Sequence, residues 1–214
     1  MLKNIKDGKS NKSEIEFWDE RLAEEASNIF FERNKIIKTI TQSSKEFAKN
    51  FNNNINLDIK YLPKIGRNLE NKFLDENPST DEIKLIFYES LKKNHNRDID
   101  QRITTIGPHR DDFEIVFNNS PASITASRGQ SRIISLSLKL SEAKEIRSIT
   151  ERKPILILDD IFSELDEKMR QKVVSEILDF DQILLSTADI ELIDKNKISD
   201  GKYFSISSGE VSED

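Results

Sequence analysis

Two adjacent carboxylates end an apolar run in the stretch ILILDDIFSELD, residues 155–166. A short run of this kind predicts a parallel strand that is buried on both faces. In open α/β sheets, ligands bind at the carboxyl ends of such strands. Asp159 can hold Mg²⁺ there, and Asp160 can polarise the water that attacks a phosphate. The alternative is a strand-to-helix turn in which one aspartate caps the next helix, and the pair alone does not decide between the two.

A second pattern lies about 25 residues earlier, where Ser127, Gly129 and Gln130 stand in the first turn of a predicted helix. The first turn of a helix leaves backbone N–H groups without intrahelical partners, and the helix dipole lies behind them, so such an end can bind phosphate. The alternative is a serine cap followed by a tolerated glycine.

A loop that wraps phosphates needs Gly-x4-Gly-Lys-Ser/Thr after a strand. Gly8-Lys9-Ser10 supplies its last three residues, but Lys3 stands where the first glycine is required, and only a few polar residues precede it. The sequence therefore predicts carboxylates that serve a phosphate loop without the loop itself. We expect the isolated chain neither to bind ATP with normal affinity nor to hydrolyse it.

Composition excludes several classes of function. The chain has 214 residues, no cysteine and two histidines, which excludes disulfides and thiol chemistry and argues against a zinc site. No apolar run approaches the roughly 20 residues that span a bilayer, and the polar start lacks a signal-peptide core. We therefore expect a cytoplasmic protein with no membrane partner. The net charge of −6 argues against nonspecific coating of nucleic acid but leaves room for a basic patch.

Periodicity indicates the elements that must position these residues. Apolar side chains at steps of three and four from Ile15 to Phe47 predict one long amphipathic helix, or two joined end to end, of more than about 45 Å. A strand before Pro63 and a helix capped by Ser79 or Thr80 follow. After about residue 100, strands and helices alternate, and the predictions there are a turn at Asn118-Asn119 between two strands, and a second buried strand in DQILLSTAD.

The order of these motifs resembles the C-terminal half of an ATP-binding-cassette (ABC) ATPase. Ser127, Gly129 and Gln130 match its signature motif, with Arg128 where transporters usually have Gly; ILILDD matches the Walker B strand and SELD the D-loop. Four further segments, FWDERLA, NRDIDQRITTIGPHR, IGPHRDDFEIVFN and LLSTAD, resemble the RecF family of bacterial recombination-mediator ATPases, which are related to the SMC proteins.

The resemblance implies an α/β fold made of the C-terminal half of an ABC-type ATPase lobe and a mostly helical second lobe or arm. Residues 1–100 would form the helical lobe and residues 101–214 the ATPase part. Asp159 would coordinate Mg²⁺, and Asp160, which replaces the usual Glu, would be the general base. Ser127, Gly129 and Gln130 would close on the γ-phosphate of ATP held by the partner subunit. Asp166 would communicate across that interface.

The resemblance also implies a function: ATP-dependent DNA binding at single-strand/double-strand junctions by a homodimer that, with RecO and RecR, helps RecA load during repair and replication restart. In this family the phosphate loop lies far upstream, so the chain resembles a RecF that lacks its N-terminal portion. ATP and Mg²⁺ are expected to bind only together with that portion.

Two alternatives stay open: a non-catalytic DNA- or partner-binding module, and another SMC-like or transporter-type cassette half. The GPHRDD segment and the lack of a long heptad coil speak against the second. His109 and Arg110 have no role that the sequence itself explains. His109 is either a reporter of nucleotide state or a hydrogen-bonded turn histidine.

Overall fold

A computed structural model of the chain describes residues 1–9, 13–52, 54–65, 78–163, 165–193, 198 and 201–213. By their internal contacts the residues form two compact units, Met1–Glu46 with Asn54–Ala126, and Phe47–Asn53 with Ser127–Asp214. The assignment of residues 1–100 and 101–214 to two functional lobes stays a prediction. None of the helices in the described ranges carries an apolar stretch long enough to cross a membrane.

The first unit is built around one long helix. This helix, α2 (Ser13–Phe51), is continuous over 39 residues and about 58 Å long, so of the two predicted arrangements, one helix or two joined end to end, the single helix is confirmed. Its last turn belongs to the second unit. The elements of the first unit are α1 (Leu2–Lys6), α2 (Ser13–Phe51), β1 (Leu57–Leu62), α3 (Thr80–Gln101), a 3₁₀ turn (Pro108–Arg110), β2 (Asp112–Phe117), β3 (Ser120–Pro121) and α4 (Ala122–Thr125).

The core of the first unit lies where α2, α3 and β1 meet. It consists of Ala23, Ala26, Phe30, Tyr61, Ile65, Ile83, Phe87, Leu91 and Ile106. The side chains contributed by α2 and α3 recur at helical spacing, and β1 adds Tyr61 from a strand that pairs with β2 in antiparallel register from Leu57↔Phe117 to Leu62↔Asp112. The strand predicted before Pro63 is therefore confirmed.

The start of α3 is a capping box, which confirms Ser79 as the cap. The Oγ of Ser79 accepts a hydrogen bond from the Glu82 backbone N–H at 3.2 Å, and the Glu82 carboxylate accepts one from the Ser79 backbone N–H at 2.7 Å. The bond from the Ser79 backbone N–H, together with one that the Ser79 hydroxyl donates to the same carboxylate at 2.9 Å, lowers the pKa of Glu82. The helix begins at Thr80 because its first N–H groups are satisfied there.

The turn predicted after β2 is confirmed, but the strand predicted beyond it is mostly wrong. Asn118 and Asn119 have φ values of +48° and +67°, which asparagine tolerates better than most residues. The returning strand β3 has only two residues, and α4 follows it. Pro121 has no N–H with which to extend the ladder, so the chain leaves the sheet at that point.

The second unit has α/β connectivity. It contains α5 (Arg128–Thr150), β4 (Ile155–Asp159), α6 (Glu167–Ile177), β5 (Gln182–Ser186), a 3₁₀ turn (Ile190–Leu192) and the hairpin β6 (Phe204–Ser207) and β7 (Glu210–Glu213). The strands β4 and β5 pair in parallel from Ile155↔Gln182 to Asp159↔Ser186. The last turn of α2 joins this unit, since the Phe51 carbonyl accepts a hydrogen bond from Lys172 Nζ at 2.8 Å.

The prediction that both strands are buried on two faces is wrong. Leu156 and Leu158 are 7% and 6% exposed, whereas Ile155 and Ile157 on the opposite face are 55% and 70% exposed. In β5, Leu184 lies opposite Ile157 and is also exposed. A wholly apolar strand indicates two apolar faces, but among the described residues only one face of this two-stranded sheet is covered.

A buried acid links two helices of the first unit. The carboxylate of Asp19 on α2 accepts a hydrogen bond from Nε2 of His95 on α3. Burial raises the pKa of Asp19, and the nearby Asp98 and Glu16 carboxylates add to the rise, while the hydrogen bond and charge of His95 oppose it. The ionised form of Asp19 is therefore penalised in the folded protein.

We predict that Phe30→Ala lowers the free energy of unfolding by about 3–5 kcal/mol, because Phe30 is fully buried in the core of the first unit. Phe17→Ala is the matched control: the same residue type on the same helix, but 59% exposed, and we expect a much smaller loss. Urea denaturation followed by circular dichroism measures both. Equal losses would contradict the described core.

We predict that Asp19→Asn changes the pH dependence of stability. A folded pKa above the ordinary value of 3.8 means that the contribution of Asp19 is fully present below pH 3.8 and is lost as the pH rises through the folded pKa. Relative to the Asn variant, the wild type should therefore lose unfolding free energy as the pH rises above 3.8. Denaturant midpoints across that range measure this, and a difference that is constant or grows in favour of the wild type contradicts it.

Candidate functional site

The carboxyl ends of β4 and β5 bring Asp159 and Ser186 together. The two residues are direct partners in the parallel register, and the Ser186 hydroxyl donates a hydrogen bond to Asp159 Oδ1. The backbone N–H of Asp160 donates to the Ser186 carbonyl at 3.1 Å. Ser186 thus holds both acidic residues. Sequence reasoning assigned it no role, although its place at the end of the second parallel strand was the signal for it.

The backbone turns sharply at Asp160, where φ is +45°. Aspartate is among the residues that tolerate this left-handed conformation. The Asp160 carbonyl accepts hydrogen bonds from Arg132 Nη1 at 2.6 Å and from the Ser163 hydroxyl at 3.3 Å. Arg132 lies in the second turn of α5, so the signature helix and the acidic turn are tied to each other within one unit. No sequence pattern singled out Arg132.

Asp159 fits the site of a magnesium ion. Mg²⁺ takes oxygen ligands, and proteins usually supply one or two carboxylates while waters and substrate phosphates complete the octahedron. Asp159 is exposed at the strand end, with the Ser186 hydroxyl beside it. Within the described ranges, no three His, Cys, Asp or Glu side chains cluster closely enough to form a cage for a metal. Asp159 can supply one carboxylate ligand to such an ion.

The signature residues form the start of α5. The Ser127 Oγ accepts a hydrogen bond from the Gln130 backbone N–H at 3.3 Å, and the Gln130 side chain accepts one from the Ser127 backbone N–H at 2.8 Å. This is a capping box, so the interpretation of Ser127 as a cap is confirmed. Gly129 lies in the same turn and is partly buried. The phosphate-binding role of the three residues stays a prediction.

Asp166 is the aspartate that caps the helix after the acidic turn. Its Oδ1 accepts a hydrogen bond from the Met169 backbone N–H at 2.8 Å. The alternative in which Asp159 or Asp160 caps this helix is therefore wrong. Between the Asp160 turn and the Asp166 cap, Leu165 is buried, and its carbonyl accepts a hydrogen bond from Arg170 Nη1 at 2.6 Å. Glu164 of the SELD stretch lies outside the described residues.

The Gly8-Lys9-Ser10 stretch follows the short helix α1 and not a strand. Gly8 has a φ of +70° in the turn that ends this helix, and its N–H donates to the Ile5 carbonyl at 3.0 Å. Ser10 is outside the described residues. This setting differs from the strand that a phosphate loop requires.

A second ordered feature, in the first unit, is the turn from Thr104 to Asp111. The Asp111 carboxylate is 3% exposed and accepts hydrogen bonds from Arg33 Nη1 at 3.0 Å, from the Lys64 backbone N–H at 2.8 Å and from the Tyr61 hydroxyl. Burial and the Asp111 charge raise the pKa of Tyr61. Asp111 therefore joins α2, β1 and the turn, a role that no sequence pattern indicated.

The same turn presents His109 and Arg110 at the surface. His109 Nε2 and Arg110 Nε both donate to the Thr104 carbonyl, at 3.0 Å and 3.3 Å, and both side chains are exposed. The interpretation of His109 as a hydrogen-bonded turn histidine is confirmed. Gly107, with a φ of +126°, lets the chain enter the turn, and an added Cβ would come within 3.3 Å of the His109 ring.

Comparison with known proteins shows which proteins this chain is similar to. No family model matches the chain. The DNA replication and repair protein RecF of Thermoanaerobacter sp. (strain X514) is 34% identical over 211 residues, which are 99% of this chain and 54% of that protein. Almost the whole chain is similar to RecF. RecF of Acetivibrio thermocellus is 32% identical over 98% of the chain, and RecF of Clostridium tetani is 35% identical over 93%.

The fold agrees with this relationship. Solved structures of the recombination mediator protein RecF-ATP and RecF-ATPrS in the RecFOR pathway superpose with TM-scores of 0.79 and 0.78 at 29% identity, over 99% of this chain and 53% of theirs. The RecF resemblance and the α/β fold with a helical part are therefore confirmed. The chain spans about half the length of the RecF relatives that it matches.

We predict that Ser127→Ala lowers the free energy of unfolding by about 0.5–2 kcal/mol, because the first turn of α5 loses its cap. Ser127→Asp keeps an acceptor at the N-cap and should retain stability. Ser131→Ala, in the same helix but past the cap position, is the control and should be close to neutral. Urea denaturation measures the series, and a Ser127→Ala variant as stable as the wild type would refute the cap.

Proposed function

We propose that the chain supplies the C-terminal half of the nucleotide-binding lobe of a RecF-type ATPase. The observation that carries the proposal is the meeting of Asp159, Asp160 and Ser186 at the carboxyl edge of two parallel strands, in a chain that aligns with RecF over 99% of its length. Ligands bind at this edge in open α/β sheets. The RecF-ATP neighbour supports a nucleotide as the ligand.

Each acidic residue has a distinct part in this proposal. Asp159 holds Mg²⁺, which when bound offsets the negative charge of the phosphates. Asp160, on the turn fixed by Arg132 and Ser186, accepts a proton from the water that attacks the γ-phosphate. The bond between the Ser186 hydroxyl and Asp159 orients that carboxylate and keeps it next to Asp160.

The signature residues act on a second nucleotide. Ser127, Gly129 and Gln130 close on the γ-phosphate of ATP held by the partner subunit of a homodimer, and Asp166 transmits the closure across that interface. The capping box fixes the first turn of α5, and a phosphate would have to displace the Gln130 or Ser127 side chain to reach the backbone N–H groups that they occupy. In this proposal, formation of the homodimer depends on ATP.

The open face of the β4–β5 sheet is the place where the rest of the lobe packs. Ile155, Ile157 and Leu184 form an exposed apolar surface that is costly in water. A complementary segment that carries a phosphate loop would cover it and bring the loop to Asp159. This agrees with a chain that spans about half of its relatives, and it makes ATP binding dependent on that segment.

The biological role that we propose is that of the RecF relatives. The complete ATPase binds DNA at single-strand/double-strand junctions in an ATP-dependent manner in the cytoplasm. With RecO and RecR it supports the loading of RecA during repair and replication restart. The names of the relatives and the RecFOR pathway of the solved neighbours support this role.

The test is ATP binding measured by equilibrium dialysis with Mg²⁺. We expect no binding by this chain alone, and binding after it is mixed with the part of Thermoanaerobacter RecF that the alignment leaves out. The two halves of that relative, mixed together, are the positive control. Binding by the chain alone, or none in the mixture while the positive control binds, contradicts the proposal and in the second case favours a non-catalytic module.

In the reconstituted mixture, Asp160→Asn should keep ATP binding and lose about 10²–10⁴-fold in hydrolysis, because the general base is removed. Asp159→Asn should weaken the binding of ATP with Mg²⁺. Asp179→Asn, an exposed carboxylate in the same unit, is the control and should leave both unchanged. Phosphate release measures hydrolysis, and an Asp160→Asn variant with wild-type turnover would exclude Asp160 as the base.

A further inference from the structure

The backbone of the turn from Thr104 to Asp111 is held by several hydrogen bonds to other segments of the first unit. Its Pro108 carbonyl accepts a hydrogen bond from Arg33, and its Gly107 N–H donates to the Lys64 carbonyl at 3.1 Å. Pro108 is buried, and Asp111 at the end of the turn accepts three hydrogen bonds. These anchors hold the backbone, whereas His109 and Arg110 are exposed and add no buried apolar surface.

The two exposed side chains are nevertheless oriented. Both donate to the same carbonyl of Thr104, and the Arg110 guanidinium does so through Nε. The two Nη groups of a guanidinium held in this way form a preorganised fork of donors, and such a fork suits the paired oxygens of a phosphate. Less conformational entropy is lost on binding when the donors are already in place.

We propose that Arg110, held in place by this turn, binds a phosphate of the DNA backbone. This inference rests on the proposed function, and it names a residue of the chain that recognises the DNA. The ligand chemistry is a phosphodiester, which carries no sequence information. The turn therefore positions the strand and does not read its bases.

The surroundings of the turn favour a nucleic acid strand. The backbone of Lys64 pairs with the turn through the Gly107 N–H and the Asp111 carboxylate. Phe113 is 55% exposed at the start of β2, two residues after Asp111. Cations next to an exposed aromatic ring are typical of surfaces that track a single strand and stack its bases. Asp112 is the opposing exposed carboxylate, whereas the Asp111 charge is paired with Arg33.

The test uses the full 214-residue chain mixed with the part of Thermoanaerobacter RecF that the alignment leaves out, in the presence of ATP and Mg²⁺. A fluorescent oligonucleotide with a single-strand/double-strand junction is titrated by anisotropy at several salt concentrations. We expect Arg110→Ala to weaken binding about tenfold, since one charge-assisted contact is lost. The slope of log K against log salt should fall by about 0.7–0.9, the loss of one phosphate contact. Arg110→Lys keeps the charge without the fork and should be intermediate.

Lys93→Ala is the matched control. Lys93 lies on α3 in the same unit, is 78% exposed and pairs with Glu89, so its removal changes the net charge equally without touching the turn. It should bind DNA within about twofold of the wild type, as expected for a rim charge. Each variant should unfold thermally with the same midpoint as the wild type, which shows that folded proteins are being compared.

The outcomes separate this inference from the function on which it rests. No DNA binding by the wild type overturns both the DNA role of this chain and the turn. Wild-type binding that Arg110→Ala leaves unchanged overturns the turn alone. A parallel titration of the same mixture with labelled ATP identifies the other source of phosphate: if Arg110→Ala weakens ATP binding as strongly as DNA binding, the turn acts on the nucleotide and the proposal is wrong.

Discussion

The parallel pairing of β4 with β5 is the interaction on which the proposed nucleotide site depends. Its register sets Asp159 directly opposite Ser186, so that a hydroxyl meets a carboxylate at the sheet edge. A shift of one residue would turn the side chains to the other face and separate this pair. The Asp160 turn depends on the same register, because its N–H donates to the Ser186 carbonyl.

The signature helix is coupled to this edge by a single long side chain. Arg132 reaches from α5 to the Asp160 carbonyl, and it lies two residues after Gln130 of the capping box. A displacement of the start of α5 would therefore act on the acidic turn through that hydrogen bond. This coupling gives a physical route by which closure on a phosphate at Ser127 would be felt at Asp160 in the proposed ATPase.

In the first unit, the buried carboxylate of Asp111 ties several segments together. Asp111 would be costly to bury alone, but Arg33, Tyr61 and the Lys64 N–H supply donors from three segments. The two aspartates of GPHRDD thus differ in character, since Asp111 is an internal anchor and Asp112 is exposed. The anchor keeps the neighbouring His109 and Arg110 in place at the surface.

The sequence by itself determined most of the helices and strands and the relationship to RecF. The period of apolar residues in α2, the Ser79 and Ser127 caps and the Asn118-Asn119 turn are local patterns, and short-range hydrogen bonds enforce them. Order and spacing of motifs were also enough to indicate the family. The carboxylates Asp159 and Asp160 could be singled out because they end an apolar run.

Only the tertiary structure decided which side chains meet. Ser186 and Arg132 join the acidic turn through contacts that span 26 to 28 residues, and Asp111 joins segments 47 to 78 residues away. No local pattern carries such pairings, because they arise from strand register and helix placement. The open face of the β4–β5 sheet was missed for the same reason: apolar residues report what a face prefers, and only packing shows what covers it.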